Sequence, residues 1–153
     1  DIAQDDWKSW SLTVDGDVHC WGDPMGYSLA APREGVHFTA IAAGRQTSCG
    51  LDRRGRVHCW GGLADQAPTT SAVPSGRGFV SIVGGGRYFV GERFCVLDPR
   101  GVASCWSYND VVLQPPADAR YLDIAVGDVN ACGITLDGEL ECWQGGHLQH
   151  KRL

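Results

Sequence analysis

The sequence predicts an all-β fold: a small β-propeller of four repeat units, each about 40 residues long, with disulfides inside its hairpins. Three observations predict it. A Cys-Trp pair recurs at Cys20-Trp21, Cys59-Trp60, Cys105-Trp106 and Cys142-Trp143, and the units that end on these pairs start 39, 41 and 42 residues apart. A glycine, Gly16, Gly55, Gly101 or Gly138, stands four residues before each of these cysteines. Between the landmarks the chain alternates, with Leu12, Leu51, Leu97 and Ile134 set against Val18, Val57, Ala103 and Leu140. Period two with one constant apolar face is the pattern of a half-buried strand.

Each unit opens on an isoleucine: Ile2, Ile41, Ile82 or Ile124. We read one domain over 1–153, divided into units 1–39, 40–80, 81–122 and 123–153. Turns such as Asp52-Arg53-Arg54-Gly55 place glycine where a short hairpin loop needs a positive φ. Folding at that glycine brings Cys49 opposite Cys59, Cys95 opposite Cys105 and Cys132 opposite Cys142. Directly opposed residues of an antiparallel pair lie about 4.5 to 5.5 Å apart, within reach of a disulfide. Three hairpin disulfides are therefore expected, each contributing at most roughly 3 kcal/mol in the chain-entropy model. In unit one the position opposite Cys20 is Trp10. Cys20 is thus the odd cysteine, readable either as a buried thiol on Trp10 or as an intermolecular disulfide or reactive thiol.

The pattern I-A-A-G-x-x-x-S-C-G-L-D-x-x-G-x-V-x-C-W-G at Ile41–Gly61 resembles the repeat of the regulator of chromosome condensation family in its cysteine-bearing extracellular form. That form is similar to the repeats of crinkly-type plant receptor ectodomains and of many secreted bacterial proteins. The resemblance implies a propeller scaffold, but its members share little else: exchange factor, β-lactamase inhibitor, light receptor and receptor ectodomain. The stretch after each tryptophan departs from the family, reading GDPMGYS, GGLADQA and SYNDVVLQ. Four units also stand where the family commonly has seven blades. Three arrangements follow: a four-bladed ring closed by HLQHKRL pairing against the N-terminal unit, two chains in one eight-bladed ring, or head-to-tail addition into a filament.

Composition narrows the function. A net charge of −5 argues against nucleic acid or an anionic membrane as partner. The one basic cluster noted is His147–Arg152, and no apolar run approaches the roughly 20 residues that span a bilayer. Seven cysteines without a C-x-x-C or H-x-x-x-H spacing point to an oxidising, extracellular setting and to no metal site. His19 and His58 share a position that units three and four fill with Ser104 and Glu141, so they read as residues of a solvent-facing strand. Trp21, Trp60, Trp106 and Trp143 read as plugs between blades. No catalytic constellation and no cofactor motif is present, so the chain is expected not to be an enzyme.

The loops joining the first two strands of each unit emerge on one propeller face. The third is five residues longer than its equivalents and carries Tyr88, Phe89 and Arg93; the first carries Trp7. Aromatic and Arg side chains together on a rigid scaffold are what recognition sites use. Tyr88, Phe89, Arg93 and Trp7 are therefore the candidate contacts for a glycan or protein ligand. The expected function is a secreted recognition module, with an extracellular fibre subunit and an inhibitor of a secreted enzyme as the alternatives.

Overall fold

The computed structural model describes residues 2–4, 8–22, 32–61, 73–86, 91–108 and 114–144, and 147–151 by backbone alone. It contains four antiparallel sheets in chain order. Unit one forms β1 (Ile2–Gln4), β2 (Lys8–Leu12) and β3 (Val18–Gly22). Unit two forms β4 (Phe38–Ala43), β5 (Thr47–Asp52) and β6 (Val57–Gly61). Unit three forms β7 (Ser81–Gly85), β8 (Glu92–Leu97) and β9 (Ala103–Tyr108). Unit four forms β10 (Tyr121–Val126), β11 (Ala131–Thr135), β12 (Leu140–Gln144) and β13 (His147–Lys151). The tail does not pair against unit one, as the closed four-bladed ring required. It adds to β12 of its own sheet, with Trp143 opposite Leu148, an open edge that is only two residues away along the chain.

The hairpin register is the one the alternation predicts. Leu12 faces Val18, Leu51 faces Val57, Leu97 faces Ala103, and Ile134 faces Leu140. Disulfides join Cys49 to Cys59, Cys95 to Cys105, and Cys132 to Cys142. In unit one Trp10 lies opposite Cys20, which stands outside these three bridges.

The hairpin loops of the first three units also tie each unit to the next. The N–H of Phe38, Phe79 and Tyr121 donates to the carbonyl of Gly16, Gly55 and Gly101 at 2.8, 3.2 and 2.9 Å. These glycines have φ of +92°, +67° and +80°, and a Cβ on them would sit 2.8, 2.5 and 2.6 Å from the carbonyl oxygen of the docked aromatic residue. Glycine is thus required twice over, by the left-handed turn and by the incoming strand. Within the loop a side-chain oxygen replaces missing backbone partners. Asp52 accepts from Arg54 and Arg56 at 2.8 and 2.9 Å, and Asp98 from Arg100 and Val102 at 2.8 and 2.9 Å. Thr13 and Thr135 take the same place in units one and four, accepting from Asp17 and Glu139 at 3.0 and 3.1 Å.

Burial raises the Asp52 and Asp98 carboxyls, but the hydrogen bonds outweigh it: to Asp52 from Arg56, His58 and Arg54, and to Asp98 from Val102 and Arg100. Both pKa values are held below the usual 3.8. A depressed folded pKa contributes stability that is present above the unfolded value and lost as pH falls through the folded one. Denaturant titrations followed by tryptophan fluorescence should therefore show stability falling on acidification below about pH 4. An Asp52→Asn/Asp98→Asn variant should show a shallower fall over that window, and an unchanged slope would remove these two carboxylates from the acid response.

Three apolar junctions join the four sheets, and each has the same parts. The earlier unit supplies its two hairpin-facing pairs, and the later unit supplies its isoleucine, an aromatic residue and its Cys-Trp tryptophan. Junction one–two joins Trp10, Leu12, Val18 and Cys20 to Phe38, Ile41 and Trp60. Junction two–three joins Cys49, Leu51, Val57 and Cys59 to Ile82, Phe94 and Trp106. Junction three–four joins Cys95, Leu97, Ala103 and Cys105 to Tyr121, Ile124 and Trp143. The aromatic pairs Phe38–Trp60, Phe94–Trp106 and Tyr121–Trp143 sit 5.3, 5.5 and 5.2 Å apart between ring centroids. In junction one–two the buried Trp10 ring stands in the place of a disulfide and meets Trp60 edge-on at 5.6 Å.

Trp60, Trp106 and Trp143 are the predicted plugs, all buried. Trp21 is not: it is 51% exposed, and Ile2, two strands away in the same sheet, is 71% exposed. No apolar hairpin face packs on them among the described residues. The matching face, Ile134 with Cys132 and Leu140 in unit four, is likewise open, with Ile134 41% exposed and a shallow 170 Å³ cleft over it.

Candidate functional site

The first-to-second-strand turns gather at one end of the sheets. In units two and four they are tight, closed by Gly44 N–H to Thr47 carbonyl and Gly127 N–H to Asn130 carbonyl, both 2.8 Å. In unit three the ladder runs one pair further, to Gly85 opposite Arg93 where unit two has Gly44 and Thr47, and residues 87–90 lie between Gly86 and Gly91 in the chain. Tyr88 and Phe89, and Trp7 of the first loop, lie outside the described residues.

The exit of the long loop is anchored on both sides. Glu92 is buried, and its carboxylate accepts the backbone N–H of Gln46 and of Thr47, the latter at 2.9 Å, in the turn of unit two. Two N–H groups aimed at one carboxylate form a charge-assisted pair, stronger than neutral hydrogen bonds. Arg93 points the other way, donating through Nη1 to the carbonyl of Asp128 in the turn of unit four. Consecutive strand residues face opposite sides, so one Glu-Arg dipeptide reaches both neighbouring blades. Arg93 is only 3% exposed. The structure places it as the inter-blade tie under the loop, with its planar fork turned onto backbone. Glu92, absent from the sequence-derived set, is its counterpart. Beside it Tyr108 is buried, and that burial first, then the nearby Glu92 carboxylate, pushes its hydroxyl above the usual value.

His58 differs from the surface residue expected. Its Nε2 lies 3.0 Å from the Asp52 carboxylate, and its ring meets Phe38 edge-on at 5.9 Å. His19, at the same unit position, is exposed. Among the described residues no group of three His, Cys, Asp or Glu side chains could hold a metal ion, and no helix is long and apolar enough to cross a membrane.

Residues 38–62, which include β4 to β6, match the family model of the regulator of chromosome condensation (RCC1) repeat. The whole fold is similar to the CRINKLY WD40 ectodomain of the Arabidopsis thaliana receptor kinase ACR4, with TM-score 0.74, 25% identity, and coverage of 99% of this chain and 52% of that one. It is also similar to the ectodomain of the Physcomitrella patens receptor kinase CR4, with TM-score 0.70, 26% identity, and coverage of 95% of this chain and 39% of that one. Prp20p of Saccharomyces cerevisiae, a protein described with its binding to Gsp1p and histones, shares the fold at TM-score 0.67 and 18% identity over 93% of this chain and 42% of its own. The chain thus spans about half the length of the ACR4 ectodomain, and less of the other two. Residues 38–62 thus match a repeat of the regulator of chromosome condensation type, and the chain as a whole has a fold similar to these β-propellers.

Proposed function

We propose that this chain is an extracellular, non-enzymatic recognition module that binds a glycan or protein through the face bearing the long loop of unit three. One observation carries the reading: Glu92 and Arg93, which follow the long loop in the chain, bind the start of β8 to the turns of units two and four, so that strand end is fixed to three blades. A rigid base lowers the entropy lost when aromatic contact residues are immobilised. The three disulfides and the likeness to receptor ectodomains support the extracellular setting. The test is a glycan array and a secreted-protein array probed with wild type and with a Tyr88→Ala/Phe89→Ala variant. Wild type should bind a defined subset, and the variant, unchanged in thermal unfolding, should lose at least about tenfold in affinity. Equal binding by both would take these residues out of the site.

A second reading, head-to-tail assembly, is favoured by the two open faces. Trp21 with Ile2, and Ile134 with Leu140, are the two halves of the junction that the chain builds three times internally. Native mass of the same samples reads it: concentration-dependent association supports the assembly, and a monomer at all concentrations sinks it.

A further inference from the structure

The Gly-bearing hairpin loops lie at the end of the sheets opposite the Glu92 clamp. In unit two the loop is Asp52-Arg53-Arg54-Gly55-Arg56. Its only carboxylate is turned inward, onto the N–H groups of Arg54 and Arg56 and onto His58. The three guanidiniums are therefore left without an acid from their own turn. Arg53 reaches across to unit one, donating through Nη2 to the carbonyl of Asp15 at 3.1 Å. Arg54 and Arg56 are exposed and make no ion pair among the described residues.

These side chains border an open surface cleft. Arg53, Arg54 and Arg56, with Asp52, His37, Val36 and Gly35, line a cleft of 410 Å³ between units one and two. Its lining carries three permanent positive charges against one carboxylate, in a chain whose net charge is −5. Asp17 lies 3.5 Å from His37 Nδ1 and so offsets the imidazole of the rim when that ring is protonated. Val36 is the only apolar residue in the lining, and the rest of its carbon surface comes from the stems of the arginines and of His37. The lining is made of turns, with no open strand edge for an extended peptide to join. What such a lining fits is a compact oxyanion. Guanidiniums match planar carboxylate and sulfate oxygens two at a time, and the volume is in the range of small-molecule clefts, about 300–1,000 Å³.

We propose that this cleft binds the oxyanion of an acidic polysaccharide, a uronate carboxylate or a sugar sulfate, through Arg54 and Arg56, with Arg53 closing the unit-one side. The site lies at the end of the sheets opposite the Glu92–Arg93 clamp, so it stands or falls apart from the loop-face reading.

The probes are polygalacturonate, dextran sulfate and unmodified dextran, titrated against the intact chain by interferometry. Wild type should bind one or both charged polymers and not neutral dextran, the preferred polymer telling carboxylate from sulfate. Affinity should fall steeply as salt rises from about 50 to about 300 mM, since exposed charges are screened. Arg54→Ala/Arg56→Ala should lose at least about tenfold, because each exchange removes charge-assisted hydrogen bonds. The turn itself is held by backbone N–H groups on Asp52, so melting should not change; Arg54→Lys/Arg56→Lys should keep part of the affinity and the same fold. The Tyr88→Ala/Phe89→Ala variant should bind these polymers as wild type does. Absence of binding to both charged polymers, undiminished binding by the alanine variant, or equal binding of poly-glutamate would overturn the proposal.

Discussion

Replacing Cys95 and Cys105 together by alanine should lower stability by about 3 kcal/mol or more, read as a shift of the urea midpoint at unchanged slope. All three bridges span ten positions, so their effect on the unfolded chain is the same. The folded-state term differs. Cys95 is fully buried and Cys105 nearly so, within the apolar junction of Leu97, Ile124 and Trp143. Removing both sulfurs there leaves a void among side chains held by two sheets, and voids in such packing add to the lost transfer energy. The Cys132–Cys142 bridge lies on the open face of unit four, half-covered. Its removal should cost only the chain-entropy part, so the two double variants should differ, the Cys95/Cys105 pair being the more damaging. Equal losses would mean that burial of the bridge adds nothing.

The hairpins were legible because every determinant is local. Leu51 facing Val57, the bridge from Cys49 to Cys59 and the turn at Gly55 lie within eleven residues, and all follow from period two plus one glycine. What lies between units was legible only where the repeat holds strictly. Trp60, Trp106 and Trp143 fit the plug reading, but Trp21 does not, since a plug needs a preceding hairpin face, and that is a property of a neighbour. Glu92 and Arg93 were less visible still. In the sequence Arg93 stands with Tyr88 and Phe89 on the long loop, where its residue type suits a contact, and nothing marks Glu92 beside it. Their partners are backbone groups at Gln46, Thr47 and Asp128, and a backbone N–H or carbonyl has no letter in the sequence. The arginines of Asp52–Arg56 were in plain view, yet the turn reading accounted for that loop. What leaves their charge uncompensated within the turn is the inward orientation of Asp52, which no letter of the sequence encodes.

Trp106→Ala should cost about 3–5 kcal/mol, the range for truncating a large buried aromatic. Its ring is 1% exposed, stacks on Phe94 at 5.5 Å and packs against Cys49 and Leu51 of the preceding unit. The loss therefore opens a junction between two sheets as well as a hole within one. Trp21→Ala, the same exchange at the equivalent unit position, should cost the single chain less than about 1 kcal/mol, because half of that ring already faces water. Paired denaturation curves at low protein concentration measure the difference. If a further blade covers the Trp21 face, the two costs should converge as protein concentration rises, since a contact made only on association stabilises by mass action. A Trp21→Ala cost as large as that of Trp106→Ala at every concentration would show that the ring is packed within the single chain, and the open junction would then have to be abandoned.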